Sequence, residues 1–206
     1  GLPEYTVVGV GREDGKTAGE YAPIFFKQAK YTLLDQNTFW LCEKPDSVGM
    51  VGWDAALTRI ATWVKLQDKK TGQILMVVNT HFDHIGTEAR RNSALLIIEK
   101  IKEIVGTSPA ILTGDFNVSE DWDAYKTITN NEFILKDAHK VAGKRTGVDF
   151  TYHNFGKIPA EKCEKIDFIF VTPQIRVISS YIPFSQLNDT LFLSDHNPEI
   201  VELEIK

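Results

Sequence analysis

The chain of 206 residues is long enough for one domain with a substantial core, and its 43% apolar content is ordinary for a globular protein. A net charge of -5 argues against coating duplex nucleic acid by charge alone, but not against a local phosphate substrate whose charge a metal ion would balance. No apolar run approaches a bilayer span, and two cysteines, Cys42 and Cys163, are too few for a disulfide scaffold and read as unpaired small residues.

Tyr5–Val10 reads as a strand and runs into "GVGREDGKT". The glycines miss a phosphate-binding P-loop: the gap to Gly15 is one residue short from Gly11 and one too long from Gly9. "AGEYAPIF" follows with Pro23 where that motif needs a helix, and Asp14 stands where a dinucleotide fingerprint needs its third glycine. The stretch is therefore a glycine-rich loop between strands, from which Arg12 and Glu20 are candidates to face a substrate. Further strands are expected at Ile24–Lys30, Ala56–Leu66 and Gln73–Asn79. Arg59 falls inside the second of these, either as an inward-facing phosphate ligand or as the exposed side of an edge strand.

Thr87–Val105 places Ala94, Ile97, Ile98, Ile101 and Val105 at helical spacing, with Gly106 as its stop. Ala110–Thr113 is a strand that drives into Gly-Asp-Phe-Asn. Ser119, followed by Glu120 and Asp121, reads as the N-cap of a helix running to about Asn130. Asp115 and Asn117 then sit at a strand-to-loop edge, side by side if the strand persists. A carboxylate and an amide so placed suit a hydrated cation or a phosphoryl group better than a core. Three strands close the chain, at Ile166–Thr172, Arg176–Ile182 and Pro198–Ile205, the last alternating between apolar and charged residues. Many strands with few helices predict two stacked, mostly antiparallel sheets flanked by helices. Trp40, Trp53 and Trp63 read as core packing, although Trp40 and Trp53 are also candidates to shape a pocket.

Four distant stretches each put polar groups at the end of an apolar strand: "VVNTHFDH", "ILTGDFN", "KIDFIFV" and "LSDHNP". In this order they resemble the endonuclease/exonuclease/phosphatase superfamily, and "GVGREDGKTAGEYAPIFFK" and "VNTHFDHIGTEARRNSALLI" look like a bacterial branch of undefined substrate. The resemblance implies an α/β, DNase I-like fold, a four-layered α/β/β/α sandwich. It implies a phosphoesterase that uses Mg2+ or Mn2+ and attacks in line with an activated water. On this chain, Asp115 resembles the group that orients or deprotonates the water, and Asn117 helps hold the phosphate. His81 and His196 resemble the active-site histidines, Asp167 the carboxylate that orients His196, and Asp195 a metal-side carboxylate. Arg12, Glu20, Arg59, Asp83, His84 and Arg90 are the candidates for substrate binding.

An isolated Asp inside "IDFIF" would be costly without a partner, and an imidazole held by it would favour its protonated, donating form. The family pattern also opens with a strand and a metal-binding Glu that these residues do not contain, so about 50 residues are expected to precede them, in the same chain or in a second chain or fragment that supplies the strands. The expected partners are a phosphate-ester substrate, whether small molecule, lipid headgroup or nucleic acid. The alternatives are a nuclease, a non-catalytic binding module or inactive fragment of the same fold, and a zinc hydrolase built on "THFDH", which five histidines without an HExxH pattern support poorly. Composition fixes no compartment; a soluble bacterial protein outside the cytoplasm is the expectation.

Overall fold

The computed structural model describes residues 2–106, 108–130, 135–188 and 191–205. In chain order its elements are β1 (Tyr5–Val8), β2 (Ile24–Lys27), β3 (Tyr31–Trp40), β4 (Ile60–Asp68), β5 (Ile74–His81), α1 (Thr87–Val105), β6 (Ala110–Asp115) and α2 (Asp123–Thr129). There follow β7 (Lys136–Asp137), α3 (Ala138–Val141), β8 (Lys144–Gly147), β9 (Asp167–Val171), β10 (Ile175–Ile182), β11 (Gln186–Asn188), β12 (Leu191–Phe192) and β13 (Ile200–Ile205).

The frame is a six-stranded sheet in the order β3-β4-β5-β6-β9-β7. Its neighbours pair antiparallel except β5 and β6, which run parallel and are joined by the long crossover helix α1, as a parallel pair requires. Period-two alternation splits each central strand between two cores. Ala61, Trp63, Met76, Val78, Leu112, Phe168 and Phe170 face α1 and α2, meeting Ala94, Ile97 and Ile101 of the first and Ala124, Tyr125 and Ile128 of the second. Each buried Val, Leu, Ile, Met or Phe among them contributes about 1.5–3 kcal/mol by leaving water.

The opposite face carries Leu75, Ile111 and Val171, which pack on Ile175 and Val177 of a three-stranded sheet ordered β13-β10-β8. On the same face Val64 and Leu66 receive Val8, Ile24 and Phe26 of the β1–β2 hairpin. Two stacked sheets with helices over the larger make the DNase I-like α/β sandwich that the motifs imply.

Several local expectations shift. β3 escapes the pattern reading because Asp35, Gln36 and Asn37 are solvent-facing and a bulge between Leu33 and Asp35 breaks the alternation. β4 begins at Ile60 and not at Ala56, so Arg59 precedes it. α2 begins at Asp123 after Trp122, with no side-chain cap; the Ser119 hydroxyl donates instead to Asp121 within a turn. Residues 131–134 lie outside the described set. α1 has the expected bounds, β13 the expected alternation, and Cys42 and Cys163 are both free.

Candidate active site

Sheet register assembles the site. His81 ends β5 opposite Asp115 at the end of β6, and Asp115 stands opposite Asp167 at the start of β9. Three residues from three distant motifs therefore line up across adjacent strand ends. Gly114 makes this possible: its φ is +156°, and a Cβ there would run into the Thr80 carbonyl on β5. Beyond Asp115 the strand does not persist. Asn117 is left-handed (φ 50°), its backbone N–H donates to Asp115 Oδ1 at 2.9 Å, and its side-chain amide donates to the Phe82 carbonyl at 3.0 Å. Asn117 thus ties the Gly-Asp-Phe-Asn loop to the "THFDH" loop, with fully buried Phe82 and Phe116 in edge-to-face contact beneath.

His196 approaches from the loop before β13. Its Nδ1 lies 2.7 Å from Asp167 Oδ2, and the Tyr152 ring packs on the imidazole at 4.9 Å between centroids. The Thr151 hydroxyl accepts the Ile166 and Asp167 backbone N–H groups, each at 3.0 Å, and so fixes where Asp167 begins its strand. Neither Thr151 nor Tyr152 stood out in the sequence, since their contacts span sequence-distant residues and no local pattern marks them.

Asp195 adjoins the cluster without being one of its members. The group whose ligand atoms lie within 4.8 Å of one another comprises Asp115, Asp167 and His196, without Asp195. Asp195 lies in a bend, partly buried, and its charge acts on His196. The Asp195 carbonyl accepts the His153 and Asn154 N–H groups, and its carboxylate meets the Ser194 hydroxyl at 3.3 Å.

Electrostatics separate the three titrating groups. Burial, aided by the Asp167 charge, pushes the Asp115 carboxyl up to about 6. Burial works against His196 charging, but the Asp167 hydrogen bond and the charges of Asp167, Asp115 and Asp195 prevail and raise its pKa. Burial and the Arg59 charge lower that of His81, against the pull of Glu20. His81 bridges Glu20 (Nδ1 to Oε1, 3.3 Å) and Asp115 (Nε2 to Oδ2, 3.4 Å).

The other candidates form one connected group beside His81. Arg59 is only 4% exposed; its Nε lies 3.5 Å from Asp83 Oδ2 and its Nη2 3.1 Å from His84 Nδ1. It is neither on the strand nor at an exposed edge. Arg12 donates to Glu20, and its backbone carbonyl accepts the Trp40 indole N–H at 2.7 Å, so buried Trp40 both packs and positions. Arg90 joins the group only through the backbone of Asp83: on α1 it donates to the Asp83 carbonyl and stacks over Trp122 at 4.9 Å. Trp63 is core, as expected, whereas Trp53 is only partly buried in a turn with φ 49°.

Two carboxylates and an imidazole within ligand range fit a hard divalent cation, and a cation there would relieve the Asp115–Asp167 repulsion. "THFDH" gathers no comparable ligand group among the described residues, so the zinc alternative finds no support there. Asp167 and His196 also line an open cleft of about 410 Å³ with Leu193, Asn197 and Glu199.

A two-sheet sandwich carrying acids and histidines at its strand ends is a hydrolase-type arrangement of the DNase I-like class. A sequence profile described as the Endonuclease/Exonuclease/phosphatase family matches residues 11–196, and the chain belongs to that family. It is 65% identical to the endonuclease/exonuclease/phosphatase from Bacteroides vulgatus, with a TM-score of 0.96 over 100% of this chain and 78% of that one. It is 37% identical to the Bacteroides thetaiotaomicron mannosyl-6-phosphatase, with a TM-score of 0.91 over 98% and 78% of the two chains. An uncharacterized protein of Acanthamoeba polyphaga mimivirus is 30% identical over 175 residues, 80% of this chain, which spans 63% of that relative's length. No helix among the described residues is long and apolar enough to cross a membrane.

Proposed function

We propose that this chain carries the catalytic centre of a divalent-metal-dependent phosphoesterase, acting by in-line attack of an activated water on a phosphate monoester of a small molecule such as a phosphorylated sugar. The observation that carries the reading is the Asp115–Asp167–His196 cluster, in which one acid is poised near neutrality and the other holds a histidine. The likeness to a mannosyl-6-phosphatase supports the monoester and sugar classes.

Asp115, with a pKa of about 6, is matched to take a proton from water at neutral pH. His196, kept protonated by Asp167, donates to the phosphoryl oxygens or to the leaving oxygen. His81 is held neutral and contributes an N–H donor. Asn117 keeps the Asp115 loop docked on the "THFDH" loop. Mg2+ or Mn2+ held by the Asp115 and Asp167 carboxylates, with the imidazolium of His196 beside it as donor, would supply charge neutralisation and a more acidic water. Two carboxylates are fewer ligands than a hard cation gathers, and water and the substrate phosphate would complete its shell.

The test is hydrolysis of p-nitrophenyl phosphate, bis-p-nitrophenyl phosphate, mannose 6-phosphate and a DNA oligonucleotide, each with Mg2+, Mn2+ or EDTA. It is run on this chain and on a longer version with upstream residues. Monoester turnover that needs metal supports the reading. Turnover of the oligonucleotide alone would make the protein a nuclease, and none in either version would leave a binding module.

A further inference from the structure

We propose that the buried Lys165–Glu199 ion pair positions the active site: it clamps the segment carrying Asp167 to the segment carrying His196 and so holds the 2.7 Å contact between their side chains. The inference rests on the phosphoesterase reading and deepens it, because it names what keeps the proton donor of that reaction in place.

Lys165 lies just before Asp167 in sequence, and Glu199 shortly after His196. Asp167 opens β9 of the six-stranded sheet, whereas Glu199 immediately precedes β13 of the three-stranded one. The two strands belong to different sheets, so no shared ladder sets their separation. Tyr152 bridges Glu164 on one segment and His196 on the other, each as an isolated bridge. The ion pair adds a side-chain tie between the same two segments.

Lys165 Nζ lies 2.8 Å from Glu199 Oε2, donates to the Asp167 carbonyl at 2.8 Å, and stands over the Phe168 ring at 3.9 Å. The ammonium thus holds the backbone of Asp167 itself. Glu199 is steadied in turn, since its Oε1 accepts the hydroxyl of fully buried Ser180 at 3.2 Å. Ser180 Oγ lies 2.8 Å from Nδ1 of buried His139. A polar line therefore runs from the Asp167 carbonyl through Lys165, Glu199 and Ser180 on β10 to His139 on α3.

Stability is a poor reason for such a line. The Lys165 and Glu199 side chains are 6% and 3% exposed, and the cost of withdrawing two charges from water largely offsets their attraction. An apolar pair of similar volume would hold the segments together about as well. What an apolar pair lacks is direction: it packs the segments without fixing the Asp167 carbonyl or the reach to His196. A displacement of about 1 Å at reacting groups can cost about 100-fold in rate, so direction is what the site needs.

The experiment compares wild type with Lys165→Met, the double variant Lys165→Met/Glu199→Leu, Glu199→Gln and Ser180→Ala, all at pH 7.5 with the same Mg2+. Three quantities are read: the melting temperature, the NMR signal of the His196 Nδ1 proton, and kcat and KM for p-nitrophenyl phosphate. Lys165→Met strands the Glu199 charge and should lower the melting temperature by about 10 °C. It should also broaden the His196 signal through exchange with water and lower kcat roughly 10-fold, with KM within about two-fold. The double variant removes both charges and leaves Ser180 its partner His139. Its melting temperature should return to within about 3 °C of wild type, while the signal stays broad and kcat stays low. Glu199→Gln keeps a polar partner for Lys165 and for Ser180, and should retain the signal and hold kcat within about three-fold.

Recovery of signal and kcat along with stability in the double variant overturns the proposal, because the pair would then be structural alone. Loss of both in Glu199→Gln also overturns it, by making charge and not position the agent. Should no variant lacking Lys165 fold, Ser180→Ala decides: releasing Glu199 at Oε1 should broaden the signal and lower kcat roughly three-fold, and wild-type values overturn the proposal. The His196 signal needs no turnover, so the inference is decided even where the wild type hydrolyses nothing and the phosphoesterase reading fails.

Discussion

His196 Nδ1 sits 2.7 Å from Asp167 Oδ2, a hydrogen bond that joins the loop before β13 to the first residue of β9 across 29 positions of sequence. Because the Asp167 charge raises the His196 pKa, the paired imidazolium adds stability that is fully present below pH 6.5 and is lost as pH rises through the folded value. The same pair sets how far into alkaline pH His196 remains a proton donor.

Asp167→Asn keeps an acceptor for Nδ1 and removes the charge. The alkaline limb of the pH profile of kcat/KM is expected to move to lower pH, and activity at pH 8 to fall about 10–100-fold. NMR titration of the His196 ring should show a lower pKa in the variant. A limb that stays in place would reduce Asp167 to a structural partner.

Asp115→Asn separates catalysis from stability. Its folded pKa of about 6 lies above the model-compound 3.8, so burial makes ionised Asp115 a cost to the fold. The stability tied to its neutral form is present below pH 3.8 and is lost as pH rises through 6. In EDTA at pH 8 the Asn variant should be about 1–3 kcal/mol more stable than wild type by urea denaturation, with the gain gone by pH 4. Hydrolysis should fall by about 10³-fold or more. A variant that loses activity together with stability would point to misfolding and not to a missing base.

What the sequence showed and hid follows from range. The strand ends at "THFDH", "GDFN", "IDFIF" and "SDH" were legible because apolar runs stop abruptly at polar residues, and α1 because its apolar spacing is regular. The alignment of His81, Asp115 and Asp167 was not, because register between strands is a tertiary property. Arg59 was placed on a strand because the rest of "ALTRIATW" is strand-like, yet its backbone lies ahead of β4 and its guanidinium is caught between Glu20, Asp83 and His84.

Asp83 should prove the main structural brace of the site. It is 1% exposed; Oδ1 accepts the Ile85 and Gly86 N–H groups at 2.9 and 2.8 Å, while Oδ2 accepts that of Leu57 at 3.2 Å and faces Arg59. Burial opposes its ionisation, but the N–H groups of Gly86, Ile85, Ala56 and Leu57 hold the carboxyl well below the usual range. Asp83→Ala strands these donors and leaves Arg59 buried without its counter-charge, and should cost about 3–5 kcal/mol in urea denaturation. A loss under 1 kcal/mol would show that water replaces the carboxylate.

Metal dependence has a readout besides turnover. If Asp115 and Asp167 share a cation, Mg2+ or Mn2+ added to EDTA-treated protein should raise the melting temperature, and saturation at about 100 times Kd corresponds to about 2.7 kcal/mol. Asp115→Asn should lose most of that response. A metal-induced shift equal in wild type and variant would place the ion elsewhere.

Gly114→Ala tests whether the site depends on the close approach of β5 and β6. At φ +156° an L-residue is strained, and the added methyl meets the Thr80 carbonyl and, at 3.0 Å, Thr80 Cγ2. Backbone cannot yield there without shifting the His81–Asp115 register pair, which lies one residue further along both strands. The substitution should cost about 2–4 kcal/mol and reduce kcat more than it raises KM, because it displaces the base relative to bound phosphate. Full activity at normal stability would mean that the strand ends tolerate separation, and register would then not be what positions Asp115.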